Sequence, residues 1–338
     1  MSASSRVQEM ASLLRLIREF FWQRSVAEVR APALISAPVS DPHIQSLAVY
    51  LSSSLSAREH ARFLHTSSEL YQKRLLAAGV ADNYFLGPVF RSDEDGRCHA
   101  EEFWMCEWYR LGWRLPRLLD EAIDLVRECL MLSGREALAR EPTSIPYRQL
   151  FKDRTGIELA VEPAPDAKAK LTVQLQDYAR KYCGLVENLE DVNDALNYSA
   201  LLDLIFSVSI QPTLVGLTIV TEFPAEQAAL AQTALIDGWP CALRAELYLE
   251  TPSGVLELAN AYQEMNEACE LTRRYAADQR ERERLRLPPT DVDEKFMQAA
   301  HRGIPECAGI ALGVDRLAMA VFGLNDISLL DPAHPSYQ

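Results

Sequence analysis

The sequence contains no Cys-x-x-Cys pair. Its seven cysteines (Cys98, Cys106, Cys129, Cys183, Cys241, Cys269 and Cys307) are scattered and odd in number, which suits reduced thiols in a cytoplasmic protein better than a disulfide framework or a zinc site. No apolar run approaches the roughly 20 residues that cross a bilayer, so no membrane partner is expected. The opening residues, Met1 to Glu9, lack the basic-then-apolar order of a signal peptide. Neither Gly-x-x-x-x-Gly-Lys nor Gly-x-Gly-x-x-Gly occurs, which removes sequence support for P-loop and Rossmann nucleotide binding. Internal repeats and low-complexity tracts are missing too. Basic charge is scarce: 34 Lys and Arg face 48 Asp and Glu, a formal net charge of −14. Proteins that grip nucleic acid draw much of their affinity from basic surfaces, so this balance makes tRNA a less favoured partner.

What is present is ample apolar content, 48 %, enough for a substantial core in 338 residues. Val7, Met10, Leu13, Leu14, Ile17, Phe20 and Phe21 recur at helical spacing and predict an amphipathic helix over residues 6–24. Residues 27–35 read as strand interrupted by Pro32. A helix is expected over 66–78, then strands over 84–90 and 102–109 joined by a polar loop. Residues 115–132 read as helix, and the proline-broken stretch 134–170 is the least informative. Helix is expected at 195–208, strands at 214–223, 243–249 and 255–262, helices at 267–286 and 295–301, and a strand at 310–314 that turns into helix at Asp315. Strands joined by hairpins, with helices before and after, predict an α+β fold with an antiparallel sheet flanked by helices.

Three segments carry chemistry. Residues 90–103 place Arg91, Arg97 and His99 at a turn between strands. A guanidinium fork matches two phosphate oxygens and stays charged, although a solvated hairpin tip would look the same. Residues 257–264 hold Glu257 and Glu264. Strict alternation would put Glu257, Ala259 and Ala261 on one face and Leu258, Asn260 and Tyr262 on the other. A carboxylate facing a pocket suits magnesium or an ammonium group; an exposed edge-strand Glu is the plainer alternative. Residues 309–317 combine small residues with Asp315 and Arg316, where Asp315 could equally serve as a helix N-cap.

In this order and spacing the segments resemble motifs 2 and 3 of class II aminoacyl-tRNA synthetases and the strand before motif 3, and residues 25–43, with Pro32, look like motif 1. The resemblance is strongest to the lysyl branch and, within it, to the elongation factor P lysine ligases. It runs from the first helix to Gly323 and is clearest in Leu75–Gly79, Glu107-Trp108-Tyr109-Arg110, Phe223-Pro224-Ala225 and Ala311–Leu317.

That resemblance implies a class II catalytic domain over 1–330, a tail over 331–338, and no N-terminal anticodon-binding OB domain. It implies ATP and Mg2+ as cofactors and a homodimer. Arg91 and Arg316 would be the catalytic residues, with Arg91 on the α-phosphate, Arg97 and His99 on the outer phosphates, and Phe103 and Arg316 on either side of adenine. Asp93, Ala100, Leu258 and Gly313 would complete the ATP site. Glu257, with Glu246, would hold magnesium. Ser67 and Glu69 would bind the backbone end of the amino acid, Tyr109 and Glu264 its side-chain ammonium, and Asn260 would add a further contact. The implied reaction is activation of lysine, as (R)-β-lysine, to an adenylate and transfer to a lysine of elongation factor P. Ala311 stands where lysyl-tRNA synthetases typically have a pocket glycine.

The chain also departs from the family pattern. Arg91-Ser92-Asp93 replaces Arg-Asn-Glu, His99-Ala100-Glu101-Glu102-Phe103 replaces His-Asn-Pro-Glu-Phe, Pro88 a common arginine and Ala261 a common glycine. These changes gather at the nucleotide end. Two other expectations therefore stand beside the first: a stand-alone synthetase-like enzyme for another amino acid or for tRNA, and a non-catalytic lysine- or ATP-binding paralogue.

Overall fold

The computed structural model describes residues 3–50, 62–92, 94, 96–159, 165–184 and 197–331. Helix α1 (Ala3–Gln23) buries Leu13, Ile17, Phe20 and Phe21 along one stripe. Val7, expected on that stripe, is 64 % exposed. Short strands β1 (Ala27–Glu28), β2 (Leu34–Ile35), β3 (Ala48–Val49) and β4 (Arg62–Leu64) follow, with Pro32 in the gap between the first two. Helix α2 (Glu69–Ala77) begins three residues later than its spacing suggests. The hairpin β5 (Asn83–Phe90) and β6 (Glu102–Leu111) matches the expected strands, as does α3 (Leu115–Met131), which buries Leu118, Leu119, Ile123, Val126 and Leu130.

In the stretch that sequence left unread, Pro146 and Pro165 stand at helix starts. Strand β7 (Thr143–Pro146) runs into α4 (Tyr147–Thr155) with Pro146 as N-cap, and Gly156 ends that helix in a left-handed conformation at φ +74. Helix α5 (Pro165–Tyr182) and α6 (Tyr198–Ile205) come next, the latter running into a π turn at Phe206–Ile210. The expected helix start at 195–196 lies outside the described residues. Strands β8 (Leu217–Pro224), β9 (Thr233–Ile236), β10 (Trp239–Thr251) and β11 (Gly254–Gln263) are followed by α7 (Ala268–Arg284), α8 (Glu294–Arg302), β12 (Cys307–Gly313) and α9 (Val314–Phe322).

These elements form two compact units, residues 1–136 with 263–338, and residues 137–262. In the first, the strand order is β1, β5, β6, β12; β1 and β5 are parallel and the rest antiparallel, and β2, β4 and β3 make a separate small sheet. Tyr109 pairs with Asn83 on one side and Gly309 on the other, while Glu107 pairs with Phe85 and Ala311. Alternation therefore presents Glu107 and Tyr109 on one face of β6 and Trp108 and Arg110 on the other. The second face is closed by α3: Glu121 accepts from Trp108 Nε1 at 3.1 Å and Arg110 Nε at 2.9 Å. The second unit orders its strands β11, β10, β8, β7, with β9 also on β10 and only β7–β8 parallel. Its core contains an aromatic group: the Tyr147 ring lies 5.2 Å from that of Phe206 and 5.1 Å from that of Phe223. The architecture is α+β, as expected. No helix among the described residues is long and apolar enough to cross a membrane.

Candidate functional site

One end of the first unit's sheet is a buried carboxylate cluster. Glu107 Oε2 accepts from Ser68 N at 2.9 Å and Ser68 Oγ at 2.7 Å, and its Oε1 from Ser67 Oγ at 2.9 Å and Tyr109 Oη at 3.1 Å. These bonds explain the late start of α2. The hydroxyls of Ser67 and Ser68 turn to Glu107, and the N-cap Ser68 makes no side-chain cap bond. Gln72 Nε2 donates to the Glu107 carbonyl at 3.1 Å and to Asn83 Oδ1 at 3.0 Å, fixing helix to strand. Burial raises the Glu107 carboxyl above its ordinary range and nearby Glu69 adds to this, against the hydrogen bonds from Ser68 and Ser67.

Next to it, Lys73 Nζ lies 2.5 Å from Glu69 Oε1 and 2.5 Å from Glu264 Oε2, and the Lys73 and Glu264 side chains are 0 % and 1 % exposed. Burial alone would lower the Lys73 pKa; Glu264 and Glu69 more than reverse it. Glu264 is pushed up to about 8 by burial, with Lys73 pulling it down and Glu69 and Glu107 pushing it up. Burial, with Glu107, Glu69 and Glu264 nearby, keeps the Tyr109 hydroxyl protonated. A Cβ at Gly309 would come closer than 3.0 Å to Glu264 Oε1 and to the Tyr109 ring. Only glycine lets strand β12 pass there. Four expected residues, Ser67, Glu69, Tyr109 and Glu264, thus meet in one cluster. Glu107 and Lys73 were not anticipated. Both were within reach, because Glu107 shares the strand face of Tyr109 and Lys73 sits four residues after Glu69 on a helix.

The β5–β6 loop brings basic side chains next to Glu94. Its neck is closed by Arg91 N donating to Glu101 O at 2.9 Å, and Ser92 N ties it to Gln45 O at 2.9 Å. The Arg91 guanidinium sits 5.2 Å over the Phe103 ring, and Arg91 NH1 is 3.9 Å from Glu94 Oε1. His99 Nε2 is 3.7 Å from the other oxygen of Glu94. Arg316 Nε donates to Cys98 O at 3.2 Å. Burial lowers the His99 pKa, Arg316 and then Arg91 lower it further, and Glu94 opposes them, so the ring is neutral near pH 7. Arg91, His99, Phe103 and Arg316 are therefore brought together. Arg97 anchors the loop through its carbonyl, which accepts from Ile327 N at 2.8 Å. Ala100 is buried, and Asp93 lies outside the described residues. Gly313 is the N-cap of α9, not Asp315, whose Oδ2 instead accepts from Trp104 N at 3.0 Å and ties helix to hairpin.

In the second unit, Glu246 accepts from Arg244 and from Tyr248 Oη. Arg244 also donates to Asn260 Oδ1 at 3.2 Å and Gln227 O at 2.7 Å, and Asn260 Nδ2 to Tyr262 Oη at 3.1 Å. Strict alternation fails here. Leu247 pairs with Ala259 but Tyr248 with Glu257, so Leu258 has no partner and forms a β-bulge. The bulge turns Glu257 onto the face of Asn260, Tyr262 and Glu246, not the opposite one. Leu258 itself is buried. Burial raises the Glu246 carboxyl, Arg244 opposes, and Glu257 adds to the rise. Among the described residues no group of three or more His, Cys, Asp or Glu is arranged for a metal. Two neighbouring carboxylates still fit magnesium, which takes one or two protein ligands and completes its shell with water and phosphate.

An α+β sheet of this topology, with an arginine-bearing hairpin and a strand that turns directly into a helix carrying Arg316, defines the class. The model of the class II tRNA synthetases (D, K and N) matches residues 2–331, and the chain belongs to that family. Among curated proteins it is 36 % identical over 326 residues to the elongation factor P–(R)-β-lysine ligase of Vibrio cholerae serotype O1, covering 96 % of this chain and 93 % of that one. The ligase of the same name from Photorhabdus laumondii is 35 % identical over 330 residues, 97 % and 94 % of the two chains. That from Avibacterium paragallinarum is 36 % identical over 321 residues, 94 % and 91 %.

Proposed function

We propose that this protein is an ATP-dependent ligase that converts lysine, as (R)-β-lysine, to its adenylate and transfers it to a lysine side chain of elongation factor P. The observation that carries this reading is the pocket of Glu69, Tyr109 and Glu264, whose two carboxylates already hold an ammonium group, that of Lys73. A ligand with two amino groups is the complementary charge, since a buried carboxylate is stable only when paired. Relatives named for this reaction, at 35–36 % identity over nearly the whole chain, support the same substrate.

In the first step the amino-acid carboxylate attacks the α-phosphorus of ATP and pyrophosphate leaves. No covalent nucleophile is needed, only alignment and positive charge where negative charge grows. Arg91 would hold the α-phosphate, Arg97 and His99 the outer phosphates, and Phe103 and Arg316 the adenine. His99, neutral near pH 7, would donate a hydrogen bond more than a charge. Ser67 and Glu69 would take the backbone end of the amino acid, and Tyr109 and Glu264 the distal ammonium. Ser67 already serves Glu107, so its contribution is to shape the loop as much as to touch ligand. In the second unit Glu246 and Glu257 would hold magnesium, whose charge when bound offsets that of phosphate. In the second step the acceptor amine attacks the adenylate carbonyl, an amide forms and AMP leaves.

A homodimer through residues 25–43, residence in the cytoplasm, and one catalytic domain over 1–330 belong to the same proposal. Seven free cysteines support the reducing compartment. The test is exchange of pyrophosphate into ATP with a panel of amino acids, followed by transfer to elongation factor P. Exchange with β-lysine preferred over α-lysine is expected. No exchange with any lysine isomer overturns the proposal, and transfer to tRNA alone replaces its acceptor.

A further inference from the structure

Lys73 is fully buried, yet it belongs neither to the apolar core nor to the residues assigned to ligand. Its ammonium takes one oxygen of Glu69 and one of Glu264. Three carboxylates (Glu69, Glu107 and Glu264) act electrostatically on one another in this pocket. Glu107 is satisfied by neutral donors, the hydroxyls of Ser67, Ser68 and Tyr109 and the Ser68 amide. Glu264 is different, because Lys73 is the cation that pulls it toward the charged form. A carboxylate in such a place, without a cation, takes up a proton and ceases to attract ammonium.

We propose that Lys73 is a positioning residue, a built-in counter-ion that fixes Glu264 through Oε2 and draws it toward its charged form, leaving Oε1 for a ligand ammonium. The inference rests on reading this pocket as the amino-acid site. The groups that face Glu264 are Lys73 and Glu69 on α2, Glu107 and Tyr109 on β6, and Cys307 on β12; Tyr275 on α7 faces Glu69 and Lys73. Of these only Lys73 is cationic. The rest favour protonation of Glu264 or are neutral near pH 7. The geometry also separates tasks: Lys73 claims Oε2 of Glu264, while Oε1 lies toward Gly309 and Tyr109.

The test is calorimetric binding of α-lysine and (R)-β-lysine, and separately of ATP, to the full chain between pH 6 and pH 9. Lys73→Met should weaken amino-acid binding about tenfold or more at pH 7, a loss that shrinks only above about pH 8, where the wild-type carboxylate is already ionised and that of the variant still gains about tenfold per pH unit. ATP affinity should stay unchanged, and Lys73→Arg should restore the wild-type pH profile. Lys73→Gln, whose amide can still donate to both carboxylates, keeps the test available if the Met variant does not fold. Neutral variants whose binding levels off at the same pH as wild type overturn the inference, as does tighter amino-acid binding, which would make Lys73 a competitor of the ligand. If wild-type protein binds no lysine isomer at any pH, the reading of the pocket falls and takes this inference with it.

Discussion

Gly309 on β12 is registered opposite Tyr109 on β6, and the side chain it lacks is the space that Glu264 and the Tyr109 ring occupy. Gly309→Ala should therefore displace both at once. Overpacking of this kind costs about 1–3 kcal/mol, and the expected result is lower thermal stability with an amino-acid KM raised at least tenfold. The KM for ATP should change little. A Gly309→Ala enzyme with an ordinary amino-acid KM would show that the pocket lies elsewhere.

Arg316 reaches the hairpin loop through Cys98 O, beside His99. Arg316→Ala should abolish adenylate formation, with a loss of at least about 10²–10³ in kcat, the scale seen when one transition-state donor is removed. Circular dichroism should be unaltered. An active variant removes Arg316 from its assigned role.

Glu264→Gln tests the two ends of the reaction against each other. Recognition of the distal ammonium should weaken far more than ATP binding, measured as separate KM values in the exchange assay. Equal losses for both substrates would argue against the pocket assignment.

Glu257 shares its face with Glu246 through the bulge at Leu258. Glu257→Gln should raise the magnesium concentration needed for half-maximal exchange several-fold, and excess magnesium should recover part of the rate. An unchanged magnesium titration would leave Glu257 without that role.

Glu107 gives a pH signature in stability. Burial raises its carboxyl pKa in the folded chain, so its contribution is fully present below the unfolded carboxyl pKa, about 4.3, and is lost as pH rises through the folded value. Glu107→Gln lacks that slope. The Tm of the variant relative to wild type should therefore climb as pH rises above about 4.3. A constant difference would mean that Glu107 is not held with a raised pKa.

Much of this was legible in residues alone. The helices at 3–23 and 115–131 announce themselves by periodic apolar residues, that at 268–284 by its run of charge and the prolines beyond it, and Ser67, Glu69, Tyr109 and Glu264 do meet in space. The reading failed where short elements or irregular geometry decide. Strand β7 and helix α4 are too short to show a period, and Thr66–Ser68 looks helical until Glu107 is seen to engage it.

Sequence by itself determined the chemistry: which segments carry arginine, carboxylate and small residues, and the order that marks the family. Periodicity and motif spacing are local properties, so they survive in a one-dimensional reading. Only the tertiary structure decided which groups share a face and a charge. The bulge at Leu258 moves Glu257 across its strand, and a buried Lys73 joins Glu69 to Glu264 across 195 positions of sequence. Both depend on long-range pairing, and the strength of each charge depends on its burial.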